Sequence, residues 1–184
     1  MRPLSIRIRP EEEQDHPAIH DLTRRAFAPM AFAAGDEQDL IDTLRRLGAL
    51  SLSLVAELEG RVVGHVALSP VTHESGAEGW FGLGPISAEP ALQRQGVGGA
   101  LIAEARRWLS DQGARGCILT GDPGYYPRHG FLPAPEHAPE AEPAEFFMVL
   151  PLAGDIPAGR SVFIGPSGPE ALPAPFAPER RHHA

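Results

Sequence analysis

Lysine is missing from this chain altogether, and cysteine occurs once. Without lysine there is no Gly-Lys-Ser/Thr segment, which excludes a P-loop for nucleoside triphosphates. The single cysteine, Cys117, excludes an intrachain disulfide framework and a structural metal site built from thiolates. Within Gly116-Cys117-Ile118-Leu119-Thr120 it reads as a buried strand residue and not as a catalytic thiol. No apolar run approaches the roughly 20 residues of a membrane helix, and no secretory segment follows the basic residues near Met1. A cytoplasmic protein without a membrane partner is therefore expected. Positive charge is in the minority, with a formal net charge of −8. That balance, and the lack of interleaved aromatic and basic residues, argues against a nucleic-acid partner. The paired His182 and His183 are too few and too terminal for a metal site, so none is expected.

What is present fits one soluble domain: 184 residues, 42% hydrophobic and 22% charged. Ser5 to Arg9 alternates like a strand. Ile19, Leu22, Ala26 and Phe27 then give a helical stripe after an acidic start at Glu11 to Asp15, and Pro29 ends it. Asp36 is placed to cap a second helix bearing Leu40, Ile41, Leu44 and Leu47, closed by Gly48. Strands are predicted over 51–58 and 61–71, joined by a Glu59-Gly60 turn. A third, over 79–87, is interrupted by Gly82, Gly84 and Pro85 and should be irregular. Gly116 to Thr120 and Glu145 to Leu152 complete the strand set. The domain is predicted to span 1–152. The segment 153–184, rich in proline and glycine, is an extension with one candidate strand over 161–164 and a mobile end.

Between the irregular strand and the Gly116 strand lies Gln93-Arg94-Gln95-Gly96-Val97-Gly98-Gly99-Ala100-Leu101. Glycine permits close backbone approach to a ligand, and the first turn of the helix that follows leaves its amides unpaired and favourable to an anion. Val97, Leu101, Ala105 and Trp108 recur at helical spacing and should bury one face, with Arg106, Arg107 and Asp111 left for solvent. A dinucleotide fingerprint does not fit, because Gly-x-Gly-x-x-Gly would need glycine at Leu101. A pyrophosphate on another cofactor remains, and coenzyme A is the natural candidate.

The segment Gln93-Arg94-Gln95-Gly96-Val97-Gly98 resembles the signature Gln/Arg-x-x-Gly-x-Gly/Ala of the GCN5-related N-acetyltransferase (GNAT) superfamily. Tyr126-Pro127-Arg128-His129-Gly130-Phe131 is similar to its second motif, Tyr-x-x-x-Gly-Phe. Gly82-Leu83-Gly84-Pro85-Ile86, Gly121-Asp122-Pro123 and Tyr125-Tyr126 point to the bacterial YhbS-like branch. The resemblance covers roughly residues 4 to 152. It implies an α/β fold with a mixed, largely antiparallel central sheet, helices on both faces, and a splayed parallel strand pair forming an acetyl-CoA cleft. It also implies that Gln93, Arg94, Gln95, Gly96, Val97, Gly98 and Gly99 hold the pyrophosphate of acetyl-CoA. Leu83, Pro85, Ile86 and Ser87 would lie along the pantetheine arm, with Tyr126 beside it.

The implied reaction is direct acetyl transfer to a primary amine. The amine must lose a proton before it attacks, the attack creates an oxyanion, and a thiolate departs. By resemblance Tyr126 is the acid that protonates the thiolate, against the plainer reading of a packing aromatic. Tyr125 and Phe32 are candidate acceptor-binding residues. The base is unassigned: the strand over 79–87 has no carboxylate, leaving Glu78 and Glu89 outside it, His65 and His73 as lesser candidates, or a water-mediated route. Asp122 is expected to organise the turn before Tyr126. The expected acceptor is a small-molecule amine; a protein amine, or a non-catalytic acyl-CoA-binding module, is the alternative. A monomer and a homodimer are both compatible with the sequence.

Overall fold

The computed structural model describes residues 2–30 and 33–164. Phe32 and the expected mobile end of the chain lie outside the described residues. The elements follow in chain order: β1 (Arg7–Pro10), α1 (His16–Phe27), α2 (Glu37–Arg46), β2 (Leu52–Leu58), β3 (Arg61–Pro70) and β4 (Thr72–His73). After these come β5 (Trp80–Ala88), α3 (Val97–Asp111), β6 (Gly116–Thr120), β7 (Leu132–Pro133), β8 (Phe147–Pro151) and β9 (Ser161–Val162).

Local chemistry sets most of these boundaries. A 3-10 turn over Glu13–Asp15 precedes α1, where Asp15 accepts the Glu12 amide at 2.8 Å and is gripped by Arg9. Pro17 fits the first turn of α1 because it has no N–H to leave unpaired. Gly48 takes φ 66° and lets the Ala49 amide reach back to the Leu44 carbonyl at 2.8 Å, closing α2 as expected. Asp36 occupies the cap position of α2 but makes no side-chain capping bond; instead Glu37 accepts the Ala34 and Gly35 amides. Leu47 lies beyond the helix and is 38% exposed, outside the apolar stripe assigned to it. The last ladder strand begins at Phe147 and not Glu145, because Ala144–Phe146 forms a 3-10 turn.

The main sheet has seven strands in the order β1-β2-β3-β5-β6-β8-β7. Its pairings are antiparallel except β5 with β6. β4 and β9 form a separate pair, so the candidate strand in the extension exists over Ser161–Val162. One face packs α3 through Val97, Leu101, Ile102, Ala105 and Leu109 against Leu54, Val66, Leu68 and Leu83. Trp108 is only half-buried, edge-on to Phe81, while neighbouring Leu109 is fully buried. Helices α1 and α2 cover part of the other face, where Ile19, Ile41 and Val55 cluster. Phe163 packs at the far end of that face against Phe147.

α3 reaches the sheet closely because β3 offers no side chain at Gly64. A Cβ there would stand 2.6 Å from Val97 Cγ1 and 3.1 Å from Ala56 Cβ. Gly64→Ala is therefore expected to destabilise the fold by about 1–3 kcal/mol through overpacking. Urea unfolding checks this, and an unchanged midpoint would show that α3 tolerates the displacement.

Candidate active site

The cleft begins where the only parallel ladder of the main sheet stops. β5 and β6 pair at Trp80–Gly116, Phe81–Cys117 and Gly82–Ile118, and no further. From Leu83 onward β5 keeps its antiparallel partner β3 and leaves its other edge without a strand among the described residues. The predicted irregularity lies here: the β3 register shifts between Val66 and Leu68, and Gly84 adopts φ 138°. That conformation suits glycine, and Pro85 beside it has no amide to donate.

After β5 the chain passes through a 3-10 turn, Pro90–Leu92, and enters α3 from Gly96, whose φ is 92°. A Cβ at Gly96 would meet no described residue within 4 Å beyond its own chain neighbours. The Val97, Gly98 and Gly99 amides head the helix, and the first bond into the turn is Ala100 N–H to the Gly96 carbonyl at 3.0 Å. The loop is anchored from the opposite face, where Arg25 of α1 grips Glu89 through two bonds of 2.6 and 3.0 Å. No local pattern announces that pair, whose members are 64 residues apart.

The second motif packs against this turn. Asp122 organises the approach by accepting the Gly124 amide on its side chain and the Tyr125 and Tyr126 amides on its carbonyl. The Tyr126 ring lies over Gly121, where a Cβ would collide with it, and meets Phe131 edge-on at 5.9 Å. Burial, followed by the nearness of Tyr125 and Asp122, pushes the Tyr126 phenol well above the ordinary tyrosine range. Tyr125 turns instead toward the first turn of α3, with its hydroxyl against Gly98. Arg106 does not simply face solvent, because it donates to the His129 carbonyl at 2.8 Å.

The candidate bases separate clearly. His73 and Glu78 lie toward the closed end of the cleft, since Pro70 pairs with Phe81 while Gly64 pairs with Ala88 at the open end. His73 is occupied by Ser75. Glu89 is held below the ordinary carboxylate range by its hydrogen bonds from Arg25, so it is a poor proton acceptor. His65 sits opposite Ser87 at the open end, fully buried beneath α1 and α2. Its Nε2 lies 2.8 Å from Ser53 Oγ. Glu11, which takes both arms of Arg45, lies near Ser53.

His65 Nε2 and Ser53 Oγ share a hydrogen bond whose direction the ring tautomer sets, and His65 Nδ1 is buried with no hydrogen-bond partner among the described residues. Burial lowers the His65 pKa to about 4, leaving the ring neutral at neutral pH. Cys117 is also fully buried and its thiol pushed up, as suits a core residue. Among the described residues, His20, Asp39 and Asp42 also gather within 4.8 Å on the exposed surface of α1 and α2, away from this cleft.

The family model for the Acetyltransferase (GNAT) family matches residues 11–132. The uncharacterized N-acetyltransferase YhbS of Escherichia coli K12 is 37% identical over 131 residues, covering 71% of this chain and 75% of that protein. A GNAT family acetyltransferase from Brucella melitensis, solved in complex with acetyl-CoA, has a TM-score of 0.78 and 42% identity over 88% of this chain and 97% of its own. The YhbS structure from Escherichia coli in complex with CoA has a TM-score of 0.77 and 31% identity over 88% and 91% of the two chains.

His65 gives the fold a pH dependence of defined sign. The unfolded chain takes up a proton near pH 6.5, whereas the folded protein resists it until about pH 4. Its stabilising contribution is complete above the unfolded value and is lost as pH falls through that window, about 3 kcal/mol in all. Urea midpoints across this range should fall more steeply for the parent protein than for His65→Gln; parallel curves would refute the assignment.

Proposed function

The chain belongs to the GNAT acetyltransferase family, and from that membership we propose that it moves the acetyl group of acetyl-CoA directly to the primary amine of a small molecule. The observation that carries this reading is the opening of β5 from β6 beside the glycine-headed helix, with Tyr126 packed on the same core as Leu83. An extended acyl carrier ending in phosphates fits both halves of that arrangement. Bound acetyl-CoA supplies an acetyl group activated as a thioester.

The chain's own residues divide the remaining work. Amides at the head of α3, over Gly96, Val97, Gly98 and Gly99, receive the pyrophosphate, with Gln93, Arg94 and Gln95 shaping the approach. The free edge of Leu83, Pro85, Ile86 and Ser87 runs beside the pantetheine. The contribution of Leu83, Ser87 and Val97 is through the main chain, because their side chains are buried and Ser87 Oγ faces Thr23 Oγ at 3.4 Å. Tyr126 is the acid for the departing thiolate by its place in the second motif: burial keeps its phenol protonated through the neutral range, although the same raised pKa makes that proton harder to release. No carboxylate stands in β5, which favours a water-mediated route for deprotonation of the amine. The buried Cys117 is unsuited to carry the acyl group, and this favours transfer without an acyl-enzyme.

The test is acetyl-CoA-dependent thiol release over a panel of amines, with binding measured by calorimetry on the same preparation. Tyr126→Phe is expected to lower amine-dependent release by roughly 10²-fold or more while leaving acetyl-CoA binding intact. Equal turnover in the variant would remove Tyr126 as the acid. Binding by the parent protein without release for any amine would favour a non-catalytic acyl-CoA-binding module.

A further inference from the structure

Tyr125 has a hydroxyl placed where packing alone has no use for it. A Cβ added to Gly98 would stand 2.9 Å from Tyr125 Oη and 3.9 Å from Cζ, so the phenol tip rests on the first turn of α3. The ring is fixed from three sides: edge-on to Tyr126 at 5.0 Å, angled against His129 at 5.0 Å, and beneath the Arg128 guanidinium at 5.0 Å. Yet the hydroxyl makes no hydrogen bond to any described residue. Beside it, His129 Nε2 is buried without a partner, and His129 Cε1 lies 3.6 Å from the Cβ position of Gly99. Two unspent polar groups thus face the same helical turn, whose amides are themselves unpaired.

The charged neighbours on these elements favour an anion. Arg128 covers the Tyr125 ring and Arg106 braces the His129 carbonyl. The carboxylate of Asp122 is turned to the Gly124 amide. Partial burial raises the Tyr125 pKa, which keeps the phenol protonated as a donor. The position is on the α3 side of the sheet, opposite the face that α1 and α2 cover.

We propose that Tyr125 is a phosphate-binding residue: its hydroxyl, seated on Gly98, donates a hydrogen bond to the pyrophosphate of the bound coenzyme, and Gly98 is small so that this hydroxyl fits. The assignment rests on acetyl-CoA being the donor and gives Tyr125 a role different from contact with the acceptor amine. Tyr126 and Tyr125 then divide the coenzyme between them, one at the sulfur and the other at the phosphates.

CoA itself is the probe. Tyr125→Phe is expected to weaken CoA binding roughly 10- to 100-fold by calorimetry, as befits loss of a hydrogen bond to a charged group. At saturation it should shift the pyrophosphate 31P resonances of bound CoA and leave the 3′-phosphate resonance in place. Gly98→Ala should weaken binding more in the parent protein than in Tyr125→Phe, where no hydroxyl meets the added methyl. Unchanged affinity, or a change confined to the 3′-phosphate resonance, would overturn the assignment. Failure of the parent protein to bind CoA would overturn both it and the donor reading, whereas CoA binding insensitive to Tyr125 would leave the donor reading standing.

Discussion

Three residue pairs join β5 to β6, and the site depends on that ladder being so short. A parallel pair needs a crossover, here supplied by α3, and the crossover brings the helix head back over the end of the strand it left. Had the ladder continued past Gly82, the edge of Leu83 to Ala88 would be consumed by β6 and no cleft would open. Its stopping there leaves strand edge and helix head side by side. Gly64 adds the second condition, since without a side chain on β3 the helix can lie directly on the sheet.

The opposite face carries a different constraint. Glu11, Ser53 and His65 form a buried polar line under α1 and α2, with the Thr23–Ser87 pair beside it. Such groups are costly in a core unless paired, and all but His65 Nδ1 find partners along this line. The neutrality of His65 is a consequence of burial.

Local signals in the chain decide the outcome where a few consecutive residues set the backbone. Gly48 closing α2, the Glu59-Gly60 turn, the interruption at Gly84-Pro85 and the helix after Gly96 each follow from backbone preferences that neighbours cannot easily override. Local signals decide less where a side chain has two nearby partners to choose from. Asp36 held the cap position, yet Glu37 took the amides. Trp108 shared the helical stripe with Leu109, and the larger ring was left half-buried.

By itself the sequence determined the family, the glycine-headed helix and the tyrosine segment, because each is written in contiguous residues whose spacing fixes its own geometry. Only the tertiary structure decided which candidates share a place. It took Glu89 away from proton transfer by bringing Arg25 to it, sent His73 to the closed end of the cleft, and buried His65 against Ser53. It also turned two adjacent tyrosines different ways, since consecutive side chains diverge and only the packing of the second motif on α3 shows which one meets Gly98. The physical reason is the same throughout: hydrogen bonding and burial of a charged or polar side chain depend on partners far away in the chain, and no local spacing encodes them.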